Sequence, residues 1–91
     1  MRGYSNDKPR IQARLRRIEG QVRGVQKMIQ EDRYCIDVLT QVNAIRAALE
    51  SVALQLLADH TQTCVTEAIR AGGGAEKVRE LNEAVERMVR A

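Results

Sequence analysis

Apolar residues recur along the first third of the chain with the spacing of a helix that buries one stripe. Ile11, Leu15, Ile18, Val22, Val25 and Ile29 follow at intervals of four, three, four, three and four, a heptad seam. Asp7, Lys8 and Pro9 stand before it; Asp can cap open amides and Pro is tolerated in a first turn, so a first helix is expected from about 8 to 31. Gly20 and Gly24 interrupt the seam and would permit close approach of another helix. The register slips at Glu31, Asp32, Arg33 and Tyr34, where a short turn is expected. A second seam runs through Cys35, Val38, Val42, Ile45, Leu49, Val52 and Leu56 and reaches His60 and Cys64; Leu39, Ala53, Leu54 and Leu57 widen it. No Gly or Pro lies between Gly24 and Gly72, so one helix is expected from about 35 to 71. Gly72, Gly73 and Gly74 would end it as a cap and hinge. A third helix, about 75 to 90, carries Val78, Leu81, Val85 and Met88 on one face and is short enough that it has to dock. With no strand pattern and no internal repeat, the expected fold is all-α, a single domain over residues 1–91.

These seams have little to bury within one chain. At 91 residues, with no Trp or Phe and only Tyr4 and Tyr34 as aromatics, a lone protomer falls short of a full core, which argues for association. No apolar run reaches membrane-span length, and the N-terminal residues lack a signal-peptide core. A cytoplasmic location is therefore expected, where thiols stay reduced and two cysteines speak for metal or redox chemistry rather than a disulfide.

Cys35, His60 and Cys64 are the two cysteines and the one histidine of the chain. On an uninterrupted helix, at about 100° per residue, the three share one direction. Singly, such a His is usually a hydrogen-bonded core residue and such a Cys a small hydrophobe; the combination points to ligation. A helix of this length holds Cys35 and His60 roughly 37 Å apart, against metal bonds of about 2.0–2.3 Å, so one chain cannot close the site. Two copies packed antiparallel bring Cys35 of one to His60 and Cys64 of the other, giving a homodimer with two equivalent sites. Two thiolates and one imidazole favour Cu(I); structural zinc normally takes four protein ligands, and nickel or cobalt more nitrogen and oxygen.

Charge is uneven. Residues 1–33 hold nine Lys/Arg against four acids, a surplus of +5, whereas the remaining residues hold six against eight, or −2. Arg10, Arg14 and Arg17 fall at i, i+4, i+7, with Arg16, Arg23 and Lys27 in a second row and only Glu19 between Lys8 and Lys27 to offset them. Such rows are often just a solvated face. Left without local compensation, they read here as phosphate contacts to DNA. No nucleophile and base pair, phosphate-cradling glycine loop or paired carboxylates point to catalysis, and no enzyme is expected.

The runs Arg14-Leu15-Arg16-Arg17-Ile18-Glu19-Gly20-Gln21-Val22-Arg23-Gly24 and Tyr34-Cys35-Ile36-Asp37-Val38-Leu39-Thr40-Gln41, followed by His60 and Cys64, resemble the copper-sensing operon repressors of the CsoR family over nearly the whole chain. The resemblance implies helical homodimers pairing into homotetramers, with an antiparallel four-helix bundle built from the first two helices of two chains. It implies operator DNA bound without a conventional recognition helix. Cu(I) would sit between subunits on Cys35, His60 and Cys64, release the DNA and derepress copper efflux or buffering genes. It also implies that Tyr34 and Glu80 hydrogen-bond to the metal-bound His and link it to the third helix, and that Arg14 contacts DNA. A second basic position of some members, on the second helix, is Ser51 here, where Arg46 offers a substitute cation. The fold also hosts nickel or cobalt, formaldehyde and persulfide sensors; the Cys, His, Cys set selects copper. The rivals are a persulfide- or thiol-redox-sensing repressor joining Cys35 to Cys64 between chains, and a helical oligomerisation module with no ligand.

Overall fold

The computed structural model of the chain describes residues 4–90. A 3-10 turn, Ser5–Asp7, leads into α1 (Lys8–Gln30); α2 (Cys35–His60) is followed by a π-helical turn (Thr61–Val65), α3 (Thr66–Arg70) and α4 (Gly74–Arg90). Among the described residues there is no strand, and the protein is all-α. Among the described residues no helix is long and apolar enough to cross a membrane. The chain forms two compact units, one spanning Asp7–Gln55 and the other holding the last turn of α2, the π turn, α3 and α4.

The first unit is a helical hairpin. Its turn follows from two bonds that close the end of α1: Asp32 N–H donates to Ile29 O (3.1 Å) and Arg33 N–H to Met28 O (3.0 Å), with Asp32 in the left-handed region at φ 54°. That is a Schellman cap, with Asp where Gly is usual. Ile11, Ile18 and Val52 are buried, and Val25, Val38, Ile45 and Ala48 are half-buried. The other half of the heptad, Leu15, Val22 and Ile29 on α1 and Val42 and Leu49 on α2, stays exposed, and Cys35 stands at the head of that α2 row. Two helices can cover only one side of each seam, so the hairpin leaves a continuous apolar face uncovered. Gly20 and Gly24 are not close-approach points within the protomer: a Cβ at Gly20 would meet only Arg23 Nη2 at 3.9 Å, and one at Gly24 nothing within 4 Å.

Asp7 sits at the N-cap of α1, yet its side chain makes no cap bond. Its carboxylate instead accepts a hydrogen bond from Gln55 Nε2 at 3.1 Å, a tie between the two helices that takes the oxygen away from the open amides. Arg14 donates to Ser51 Oγ further along the hairpin. The two bonds fix the antiparallel register.

The expected single helix from about 35 to 71 is divided by the π turn. Two threonines account for it. Thr61 Oγ1 donates to Leu57 O (2.9 Å) and Thr66 Oγ1 to Thr61 O (3.2 Å), so hydroxyls supply partners to carbonyls where the α-register bonds are lost. Val65, 4 % exposed, is the buried residue of this unit among those described, and α4 packs on α3 and the π turn. α3 ends in a second Schellman cap, Gly73 N–H to Ala68 O (2.7 Å) and Gly72 N–H to Ile69 O (3.2 Å), with Gly72 at φ 90°. Gly74 begins α4 rather than serving as a hinge. A Cβ there would lie 2.7 Å from Ile69 Cγ1 and 3.1 Å from Ile69 Cα, so the reversal is tight enough to require Gly.

Candidate metal centre

Cys35 is the first residue of α2 and His60 the last; Cys64 belongs to the π turn. Both cysteines are thiols, Cys35 exposed and Cys64 half-buried. Among the described residues no group of three or more His, Cys, Asp or Glu side chains comes together within the chain. The π turn also alters the phase that an uninterrupted helix predicts. It holds more residues per turn than an α-helix, so Cys64, four positions on, stops short of a full turn from His60 instead of passing it.

His60 faces Glu80 of α4. Its Nε2 lies 4.0 Å from Glu80 Oε1, with the imidazole 34 % exposed, and the other carboxylate oxygen, Oε2, lies 3.8 Å from Lys77 Nζ. With Nε2 turned to the carboxylate, Nδ1 is the nitrogen left for a metal, the arrangement that ligating histidines adopt when an acceptor orients the ring. The donor set therefore fits a soft monovalent ion: two thiols and an imidazole whose second nitrogen faces an acid. Lys77 escaped the sequence reading, although its spacing of three from Glu80 on a helix is the signal that would have found it. Tyr34 precedes α2 in the hairpin turn and is 69 % exposed.

The arginines separate into two faces of α1. Arg14, half-buried, and Arg17 line a groove of about 190 Å³ with Ile18, Gln21 and Ala48. Arg23 instead borders the uncovered apolar face, beside Leu15, Glu19 and Val22. Arg10, Arg16, Arg17, Arg23 and Arg46 are exposed, and none of the salt bridges among the described residues engages any of the six. The Arg14–Ser51 bond was also missed. Its signal was present, because the two residues lie equally far from the centre of the Glu31–Tyr34 turn, as partners in a hairpin do.

Residues 7–87 match the family model described as metal-sensitive transcriptional repressor. The chain is 54 % identical over 90 residues to the copper-sensing transcriptional repressor RicR of Mycobacterium tuberculosis, covering 97 % of this chain and 94 % of that one. It is 52 % identical over 77 residues to the copper-sensing transcriptional repressor CsoR of Bacillus subtilis, covering 85 % and 76 %. Among solved structures, the Cu(I)-bound copper-sensing repressor CsoR of Geobacillus thermodenitrificans superposes with a TM-score of 0.89 at 49 % identity, covering 93 % of this chain and 88 % of that one. The nickel-responsive transcriptional regulator InrS superposes with a TM-score of 0.77 at 46 % identity, covering 87 % and 89 %. The heptad hairpin, the thiol and imidazole donors and these likenesses lead to one conclusion: the chain belongs to the family of metal-sensitive transcriptional repressors.

Proposed function

We propose that this protein is a Cu(I)-sensing repressor that holds operator DNA in its metal-free form and releases it when Cu(I) binds, derepressing copper efflux or buffering genes in the cytoplasm. The ligands are Cys35 of one protomer with His60 and Cys64 of the partner subunit. The uncovered apolar face of the hairpin supports that pairing, because Cys35 stands at the head of the exposed row continued by Val42 and Leu49. An antiparallel four-helix-bundle homodimer covers this face, and two dimers associate into a homotetramer. Arg14, assisted by Arg10, Arg16, Arg17, Arg23 and Arg46, contacts DNA phosphates.

One observation carries the reading: His60 presents Nε2 to Glu80 of α4, so the residue that would hold the metal also touches the helix whose position reports it. A bound Cu(I) supplies a soft cation that thiolate and imidazole donors satisfy. Glu80 then orients the imidazole, and Tyr34 completes the link. The likeness to a nickel-responsive regulator raises the question of metal, and the donors answer it, since a chain with one His and two thiols offers little nitrogen for Ni(II). An effector shifts the DNA equilibrium only by its difference in affinity for the two states. A coupling of about 1–3 kcal/mol, roughly 5- to 150-fold in DNA affinity, is expected. Duplex binding measured with and without one equivalent of Cu(I), buffered by a competing chelator, tests it; equal affinities abolish the switch.

A further inference from the structure

The groove beside Arg14 has a construction of its own. On α1, Arg14, Arg17 and Gln21 fall at i, i+3, i+7 and present two guanidiniums and an amide to one side; across from them α2 offers only the small side chain of Ala48. The space of about 190 Å³ exists because long polar side chains face a small one. It is open to solvent and bordered by donors, and none of its lining residues is an acid. Ser51, one turn beyond Ala48 on the same helix face, accepts a hydrogen bond from Arg14. That bond occupies one guanidinium nitrogen and leaves the remaining N–H groups of a planar fork in fixed orientation.

We propose that this groove is a seat for a single phosphate group, that Ala48 keeps it open, and that Ser51 is a positioning residue that aims Arg14 into it. The inference rests on the DNA-binding reading and narrows it, assigning one backbone phosphodiester per protomer to Arg14, Arg17 and Gln21. Arg16, Arg23 and Arg46 do not line the seat. A pre-aimed guanidinium loses less rotamer freedom when it grips the anion, which is how a neutral hydroxyl raises affinity for a phosphate it need not touch.

Two measurements on the full chain test this separately from the copper reading. In the first, side-chain 15N resonances of the arginines and glutamines are followed as inorganic phosphate is added. Shifts confined to Arg14, Arg17 and Gln21 and abolished in Ala48→Leu are expected; equal shifts across Arg16, Arg23 and Arg46, or persistence in Ala48→Leu, overturn the seat. In the second, a fluorescent duplex selected by the unmodified apo protein from a random pool is titrated at several salt concentrations. Ala48→Leu should flatten the slope of log K against log salt by about 0.9 for each protomer that engages the duplex, one phosphate contact apiece. Ser51→Ala should weaken binding about fivefold for each protomer that engages the duplex, the usual worth of one hydrogen bond, with slope and Cu(I) affinity unchanged, and Ser51→Thr should restore it. Wild-type binding by Ser51→Ala removes its positioning role, and an unchanged slope in a folded Ala48→Leu removes the seat. A seat that passes the phosphate titration in a protein that never releases DNA on Cu(I) addition leaves the inference standing and sinks the sensor instead.

Discussion

Replacing Leu49 separates the two halves of the proposed mechanism, because it is neither one of the candidate metal donors nor one of the candidate DNA-contacting arginines. Leu49 lies on the outer side of the hairpin and is 47 % exposed. Full burial of a Leu is worth about 1.5–3 kcal/mol; with roughly half its surface still open, covering it contributes about 1 kcal/mol per protomer. A two-fold interface counts the residue twice, so Leu49→Ala should weaken the dimer by about 2 kcal/mol, near thirtyfold in dissociation constant. Leu49→Asp, which would place a carboxylate in the seam, should weaken it further. Helical circular dichroism should stay near that of the parent, since Ile11, Ile18 and Val52, the buried residues of the hairpin, are untouched. Sedimentation equilibrium at micromolar protein reads the association, and chelator competition on the same samples reads Cu(I) affinity. Leu49→Asp should be monomeric and should lose tight Cu(I) binding although Cys35, His60 and Cys64 are all present. A monomeric Leu49→Asp that binds Cu(I) as tightly as the parent refutes ligation shared between chains, and an unchanged dimer refutes the assignment of the apolar face.

Two further outcomes follow from the second unit. His60→Ala should keep measurable Cu(I) affinity through the two thiolates while losing most of the metal-driven DNA release; normal release read by anisotropy would show that the His60–Glu80 contact transmits nothing. Gly74→Ala would set a Cβ against Ile69, an overpacking that costs about 1–3 kcal/mol, so its thermal midpoint should fall by at least ~5 °C; an unchanged midpoint would mean that the reversal after α3 relaxes freely.

What the chain determines by its sequence alone is what depends on local spacing. The seam from Ile11 to Ile29 dictates a helix, the slip at Glu31 to Tyr34 dictates a turn, and the triple glycine dictates the reversal before α4, because each is decided by residues within a turn or two of one another. The candidate donors were legible for a similar reason: Cys35, His60 and Cys64 are all the thiols and the one imidazole the chain has, so chemistry named them before any fold did. Other features needed the tertiary structure. Asp7 reads as a cap, and only the arrival of Gln55 from the far end of the hairpin claims its carboxylate. The heptad lists its apolar positions without ranking them; packing decides that Ile11 and Ile18 go inward while Leu15 and Val22 stay exposed. Thr61 and Thr66 sit in a sequence of acceptable helical propensity, and the π turn emerges where hydroxyls replace lost backbone bonds and α4 packs against the turn. The groove by Arg14 depends on the size of Ala48 and the hydroxyl of Ser51, both more than thirty residues away along the chain. Side-chain spacing is a property of one helix, but a cavity or a shared carboxylate belongs to two, and only the folded chain sets which residues meet.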